Sequence, residues 1–129
     1  RKHIGGMCHY MMTERTRAPN TALDGRYADE AFELFLQHVE QAGTRPSEYQ
    51  AKLFGGANMF QEKDGSGMDI GARNVEYGHR LLASRHIALI AEHVAGSGRR
   101  KLHFDLWSGD VWLAFPDGAD ATIRNSYGR

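Results

Sequence analysis

The stretch "GGMCHYMM", residues 5 to 12, places the chain's only cysteine, Cys8, directly beside a histidine, His9. A thiol next to an imidazole is the pairing used by cysteine hydrolases, in which the imidazole raises the thiolate fraction and the thiolate attacks a carbonyl. Such a base must reach its nucleophile within roughly 2.6–3.2 Å. The run Lys2 to Met12 has no proline, carries its glycines early and is rich in Met, Ile and Tyr, so it reads as a buried strand. Successive side chains on a strand point to opposite faces. His9 then shares a face with Met7 and Met11, and Cys8 sides with Ile4, Tyr10 and Met12. On this reading Cys8 is not the nucleophile that His9 serves.

The other chemistry-bearing residues give weaker signals. Seven histidines raise the question of a metal, but none shows HxxxH or CxxC spacing. His86 and His93 would fall on opposite faces of one strand. His93 and His103 could meet across neighbouring strands, without the carboxylate or thiolate that a metal site needs. No metal and no cofactor are expected. Lys52 reads as a pairing or snorkelling residue, and Arg73 and Asn74 as capping or packing groups near a helix start. A histidine between two methionines is, taken alone, most often a satisfied core residue.

These residues need a scaffold, and 129 residues suffice for one domain with a real core. Sixteen basic and sixteen acidic residues cancel, so no electrostatic grip on nucleic acid or on an acidic membrane is expected. A single cysteine excludes an internal disulfide and fits a reducing compartment. No apolar run is long enough to span a bilayer and no signal peptide is visible. The chain opens with Arg1 rather than methionine, as a piece of something longer would.

After the first strand, Thr13 to Arg26 reads as a polar loop containing Pro19, Asn20 and Gly25. "YADEAFELFLQHVEQAG" is an amphipathic helix, with Ala28, Phe32, Phe35 and Val39 at helical spacing, acids in its first turn and Gly43 as its stop. Arg45–Pro46–Ser47 is a loop, and "YQAKLF" a strand that runs into "GGANMF". Gln61 to Met68 is charged and glycine-rich, expected to be exposed and mobile. "IGARNVEYGHRLLAS" is a second helix with Val75, Leu81 and Leu82 on its core side. "HIALIAEHV" is an apolar strand, and "RKLHFDLW" and "DVWLAF" form a hairpin across Ser108–Gly109. Residues 1–115 would make the domain, and the polar residues 116–129 a frayed tail. The order β-α-β-α-β-β-β predicts an α+β domain, a mixed sheet with helices against it.

"GGMCHYMM", "AKLFGGANMF", "IGARNVEY" and "AEHVAGSGRRKLHFD" follow one another in the order and spacing of the CheD family, the chemoreceptor glutamine deamidases of bacterial chemotaxis, which the chain resembles over about residues 4 to 113. Met12–Thr13 stands where the family usually has Leu-Pro, and "EHVAG", with His93 and Ala95, where it usually has "EDVGG". The resemblance implies a layered α/β/β/α sandwich like the catalytic domain of cytotoxic necrotizing factor. It implies a cytoplasmic protein-glutamine glutaminase that converts glutamines of methyl-accepting chemotaxis receptors to glutamate by Cys–His catalysis. It makes His9 the base, Cys8 a bystander at a variable position, and the backbone of Gly55 and Gly56 a candidate active-site rim. The family's nucleophile lies in a Gly-Ser-Cys motif one hairpin upstream, and its site threonine is upstream too. Neither is in this sequence, so the chain as given is expected to be inactive. The alternative is a non-catalytic module that binds chemoreceptors or a CheC-type phosphatase.

Overall fold

The computed structural model describes residues 2–57, 69–94, 99–115 and 120–123. Helix α1, Ala28–Gln41, starts without a side-chain cap; Asp29 and Glu30 occupy its first turn, where carboxylates oppose the positive helix end. It stops because Gly43 takes the left-handed conformation (φ 70°), letting the Thr44 N–H return to Val39 O at 3.1 Å. A 3₁₀ turn, Pro46–Glu48, leads into strand β1, Gln50–Gly55. Helix α2, Ile70–Ser84, is capped by Asp69, whose carboxylate accepts from Ala72 N at 2.6 Å. Strand β2, Ala88–Val94, then pairs parallel with β1, Gln50 opposite Ala88 and Gly55 opposite Val94, with an irregularity between Ala51 and Lys52.

A parallel pair needs a crossover, and α2 supplies it. Gly78 is the position that lets helix and strand approach: a Cβ there would stand 3.4 Å from Leu53 Cδ1 of β1. Strands β3 (Lys101–Phe104), β4 (Val111–Ala114) and β5 (Asp120–Ile123) form an antiparallel sheet, in that order. On β4 the alternation is clear: Val111 and Leu113 are buried, and Trp112 between them is exposed. Leu113, Val111, Ala28 and Ala31 are the buried apolar positions among the described residues. Lys52 of β1 donates to Gly109 O at 2.6 Å, tying the parallel pair to the turn of the antiparallel sheet.

The fold is thus a mixed α/β domain, with two α-helices and two sheets among the described residues, and several expectations need correcting. Among the described residues the strands fall into two sheets, β1-β2 and β3-β4-β5, rather than one mixed sheet. Lys2 to Met12 is not a strand: His3 has φ 50°, and the segment pairs with loop and helix backbone rather than with another strand. The hairpin turn spans Asp105 to Asp110, closed by Asp105 N donating to Asp110 O at 2.9 Å, because the Asp105 side chain caps Trp107 N and Ser108 Oγ. Within the expected tail, Asp120–Ile123 pairs with β4 as β5. His86 lies before β2, at φ 56°. The Gln61–Met68 loop falls outside the described residues.

Candidate functional site

The segment that carries His9 is held on both sides of it. Beyond His9, Met11 N and Met12 N donate to Arg26 O at 2.7 and 3.0 Å. From the first turn of α1, Ala28 N donates to Met12 O at 2.8 Å and Asp29 N to Thr13 O at 3.2 Å. These α1 donors have no partner within their own helix, so the segment satisfies them. From α2, Asn74 Nδ2 donates to Met11 O at 2.8 Å, and the Tyr10 hydroxyl donates to Asn74 O at 2.7 Å. Before His9, absent side chains make the fit: a Cβ on Gly6 would stand 3.1 Å from Phe35 of α1, and one on Gly5 3.3 Å from Leu106. His3 stacks on Trp107 at 3.9 Å between centroids and donates from Nδ1 to Trp107 O.

Between these anchors His9 is exposed. An open imidazole on a fixed backbone can exchange protons with an incoming group. Cys8 is also exposed, yet enough protein crowds its thiol that desolvation raises its pKa. A raised pKa lowers the fraction of thiolate, the form that attacks. Desolvation and the neighbouring Cys8 push the Tyr10 hydroxyl up to about 12, so it remains a donor.

Gly55 and Gly56 end β1 with φ 118° and 72°, conformations that favour glycine. A Cβ on Gly56 would collide with Val75 and approach Gly71 O at 2.8 Å, and one on Gly71 would collide with Gly56. The close backbone approach of this turn to the first turn of α2 is therefore what demands these glycines. Through α2 the glycine turn and the His9 segment share one support, the turn resting on Gly71 and Val75 and the segment on Asn74.

Sequence reading weighed Asn74 as a packing group and passed over Tyr10; the structure brings both to the His9 segment. The signal in the sequence was Asn74 and Gly78 one helical turn apart, a polar group beside a gap that admits a tyrosine. It also treated Glu30 as one of two first-turn acids. Glu30 is buried, and its carboxylate accepts from Arg15 Nε and Nη2 and from Asp24 N, each at 3.0 Å. This ties the loop of residues 13–27 onto α1. Lys52 pairs as expected. The histidines do not gather: Arg100 Nε donates to His93 Nδ1 at 3.0 Å, and His79 donates to Glu92 at 2.6 Å. Among the described residues no group of three or more His, Cys, Asp or Glu could hold a metal. No helix among them is long and apolar enough to cross a membrane.

Fold and site together define a mixed α/β domain that displays the exposed His9 on a doubly anchored segment. Comparison with known proteins gives the class a family. Residues 11–115 match the family model "CheD chemotactic sensory transduction", which begins two residues after His9. The chain is 74% identical over 128 residues to "Probable chemoreceptor glutamine deamidase CheD 3" of Dechloromonas aromatica, covering 99% of this chain and 75% of that protein. It is 42% identical over 114 residues to "Probable chemoreceptor glutamine deamidase CheD" of Pseudomonas savastanoi pv. phaseolicola, covering 87% and 64%. A protein of the same name from Thermococcus kodakarensis is 34% identical over 108 residues, covering 84% and 67%. The chain thus spans between 64% and 75% of these relatives' own lengths. It belongs to the CheD family.

Proposed function

We propose that this chain is part of a protein-glutamine deamidase that acts on methyl-accepting chemotaxis receptors in the cytoplasm, and that His9 is its catalytic base. The observation that carries the activity is the 74% identity, across 99% of the chain, to a relative bearing that activity in its name. The exposure of His9 on an anchored segment supports its role. In the reaction, a cysteine thiolate generated beside the imidazole attacks the glutamine side-chain carbonyl. Backbone amides stabilise the oxyanion, and the turn of Gly55 and Gly56 is the candidate rim from which they point. The imidazolium protonates departing ammonia, and water, deprotonated by the imidazole, hydrolyses the thioester to glutamate.

Cys8 is not the nucleophile in this reading, because desolvation works against its thiolate. The thiolate comes from outside these 129 residues. The working domain takes in residues 1–115 together with strand β5, Asp120–Ile123, which pairs with β4, and the finer architecture is the layered α/β/β/α sandwich of the resemblance. Because the chain's only cysteine is poorly suited to attack, the 129 residues alone act as a binding module for receptors, or for a CheC-type phosphatase, and do not turn over substrate. The test is ammonia release from a glutamine-bearing receptor fragment, with the full-length protein and with the 129-residue chain. Full-length turnover that is lost in His9→Ala is expected. Turnover by the short chain that is abolished on alkylating Cys8 would overturn the assignment.

A further inference from the structure

We propose that Asn74 is a positioning residue for His9, acting with Tyr10 as a two-way clamp between α2 and the His9 segment; this rests on the reading of His9 as the base. The clamp has two oppositely directed bonds. The Asn74 side chain donates to the backbone of the segment, at Met11 O (2.8 Å), and the segment's Tyr10 donates to the backbone of the helix, at Asn74 O (2.7 Å). Because the two residues are bonded in both directions, Tyr10 and Met11 can neither slide along α2 nor lift from it without losing a bond. His9 is the next residue back, so its Cα is placed by this clamp and by the Phe35 contact at Gly6.

Two further observations separate this role from ordinary helix packing. Among the described residues, Asn74 Oδ1 is buried and meets no hydrogen-bond donor. A residue chosen for stability would not seal an unpaired carbonyl oxygen away from water; an apolar side chain of similar size would do better. Its remaining polar function is the Nδ2 donation to Met11. Gly78, one turn on, is buried and leaves the gap that the Tyr10 hydroxyl enters, since a Cβ there would lie 2.5 Å from it. Nine residues of sequence, Arg73 to Leu81, thus contain both the polar group and the opening that the segment needs.

A displacement of a catalytic group by about 1 Å can lower turnover by roughly 10²-fold. The test uses the full-length protein carrying Asn74→Leu, which removes the donor and the unpaired oxygen together, and Tyr10→Phe, which removes only the hydroxyl. The expected result is kcat lowered about 10- to 100-fold in Asn74→Leu, with KM held and unfolding temperature unchanged or raised. Tyr10→Phe should fall in the same direction by a smaller factor. In both, the His9 imidazole signals should broaden or multiply in NMR spectra, while the amides of β1 and β2 stay put. Wild-type kcat in both variants would overturn the clamp, as would a drop in unfolding temperature for Asn74→Leu with Tyr10→Phe fully active, which marks a packing role. A fully active His9→Ala would instead overturn the base assignment beneath it, so the two failures are told apart.

Discussion

His9 and Cys8 are sequence neighbours with opposite prospects, and the difference lies in solvation. The imidazole is open to an incoming carboxamide, whereas the thiol, although its residue is exposed, is crowded enough that its pKa is raised by desolvation. Alkylating agents react with thiolate, so Cys8 should be slow to modify at neutral pH, its rate climbing only above the ordinary thiol range. The measurement is the rate of iodoacetamide labelling against pH; a fast rate at pH 7 equal to that of an unhindered thiol would contradict the assignment. In the full-length deamidase Cys8→Ser should leave most activity, and a folded but inactive Cys8→Ser protein would make Cys8 the nucleophile after all. Gly78 is the other residue whose chemistry is decided by its surroundings. On an exposed helix, Gly→Ala gains roughly 0.8–1.0 kcal/mol. Here the added Cβ meets the Tyr10 hydroxyl at 2.5 Å and Leu53 at 3.4 Å. Gly78→Ala should therefore lower both stability and the protection of the Met11 and Met12 amides from exchange, and a stabilised variant with unchanged exchange would refute the close fit.

At the scale of elements, α1 is the pivot of the site, because its first turn grips the His9 segment by backbone and the following loop by charge. Glu30 is held below the ordinary carboxylate range chiefly by its hydrogen bond from Arg15, and Asp24 is held down to about 2 chiefly by its bond from Arg26. A carboxylate whose folded pKa is depressed adds stability that is complete above its unfolded value and is lost as pH falls through the folded one. The loss should therefore set in as pH falls below the ordinary values, 4.5 for Glu30 and 3.8 for Asp24, and for Asp24 run down to about 2. Unfolding temperature measured against pH should fall across that window, and fall less steeply in Glu30→Gln, which starts lower. An identical acid limb in the variant would remove Glu30 from the account. The helices were legible because a period of 3.6 with acids at the start and Gly43 or Asp69 at an end is written in local sequence; α2 has the bounds that "IGARNVEYGHRLLAS" gives. The Lys2–Met12 segment was not, since its residues suit an extended chain but only a neighbouring strand turns extension into pairing, and its bonds go to Arg26, α1 and α2. Strand β5 was hidden for the converse reason: "DATI" is polar and short, and β4 supplies its order. Of the proposed site, only motif spacing points to His9 in the sequence, whereas the proposed clamp depends on a tertiary gap at Gly78.

At the scale of the molecule, Lys52 is a described contact that spans the two sheets. It leaves β1 in the parallel pair and donates to Gly109 O, inside the turn that closes β3 against β4. Burial lowers its pKa, while the Asp110 carboxylate opposes that shift and so favours the charged ammonium that donates to the turn. The turn in its own right is a small network: Asp105 N donates to Asp110 O, Gly109 N to Asp105 O, and Ser108 Oγ to the Asp105 carboxylate. Gly109 has φ 79°, so its carbonyl is aimed by a backbone conformation that other residues adopt reluctantly. The same turn begins next to Leu106 and Trp107, which pack against Gly5 and stack on His3 at the far end of the His9 segment. The lysine therefore couples the sheet that ends in Gly55 to the turn that steadies the approach to His9. Lys52→Met keeps the stem and deletes the donor. Exchange of the Asp105 and Gly109 amides should quicken several-fold in this variant, with the amides between β1 and β2 little changed, because the parallel pair keeps its own ladder. Unchanged exchange at both turn amides would mean that the turn holds itself and that the two sheets are coupled elsewhere.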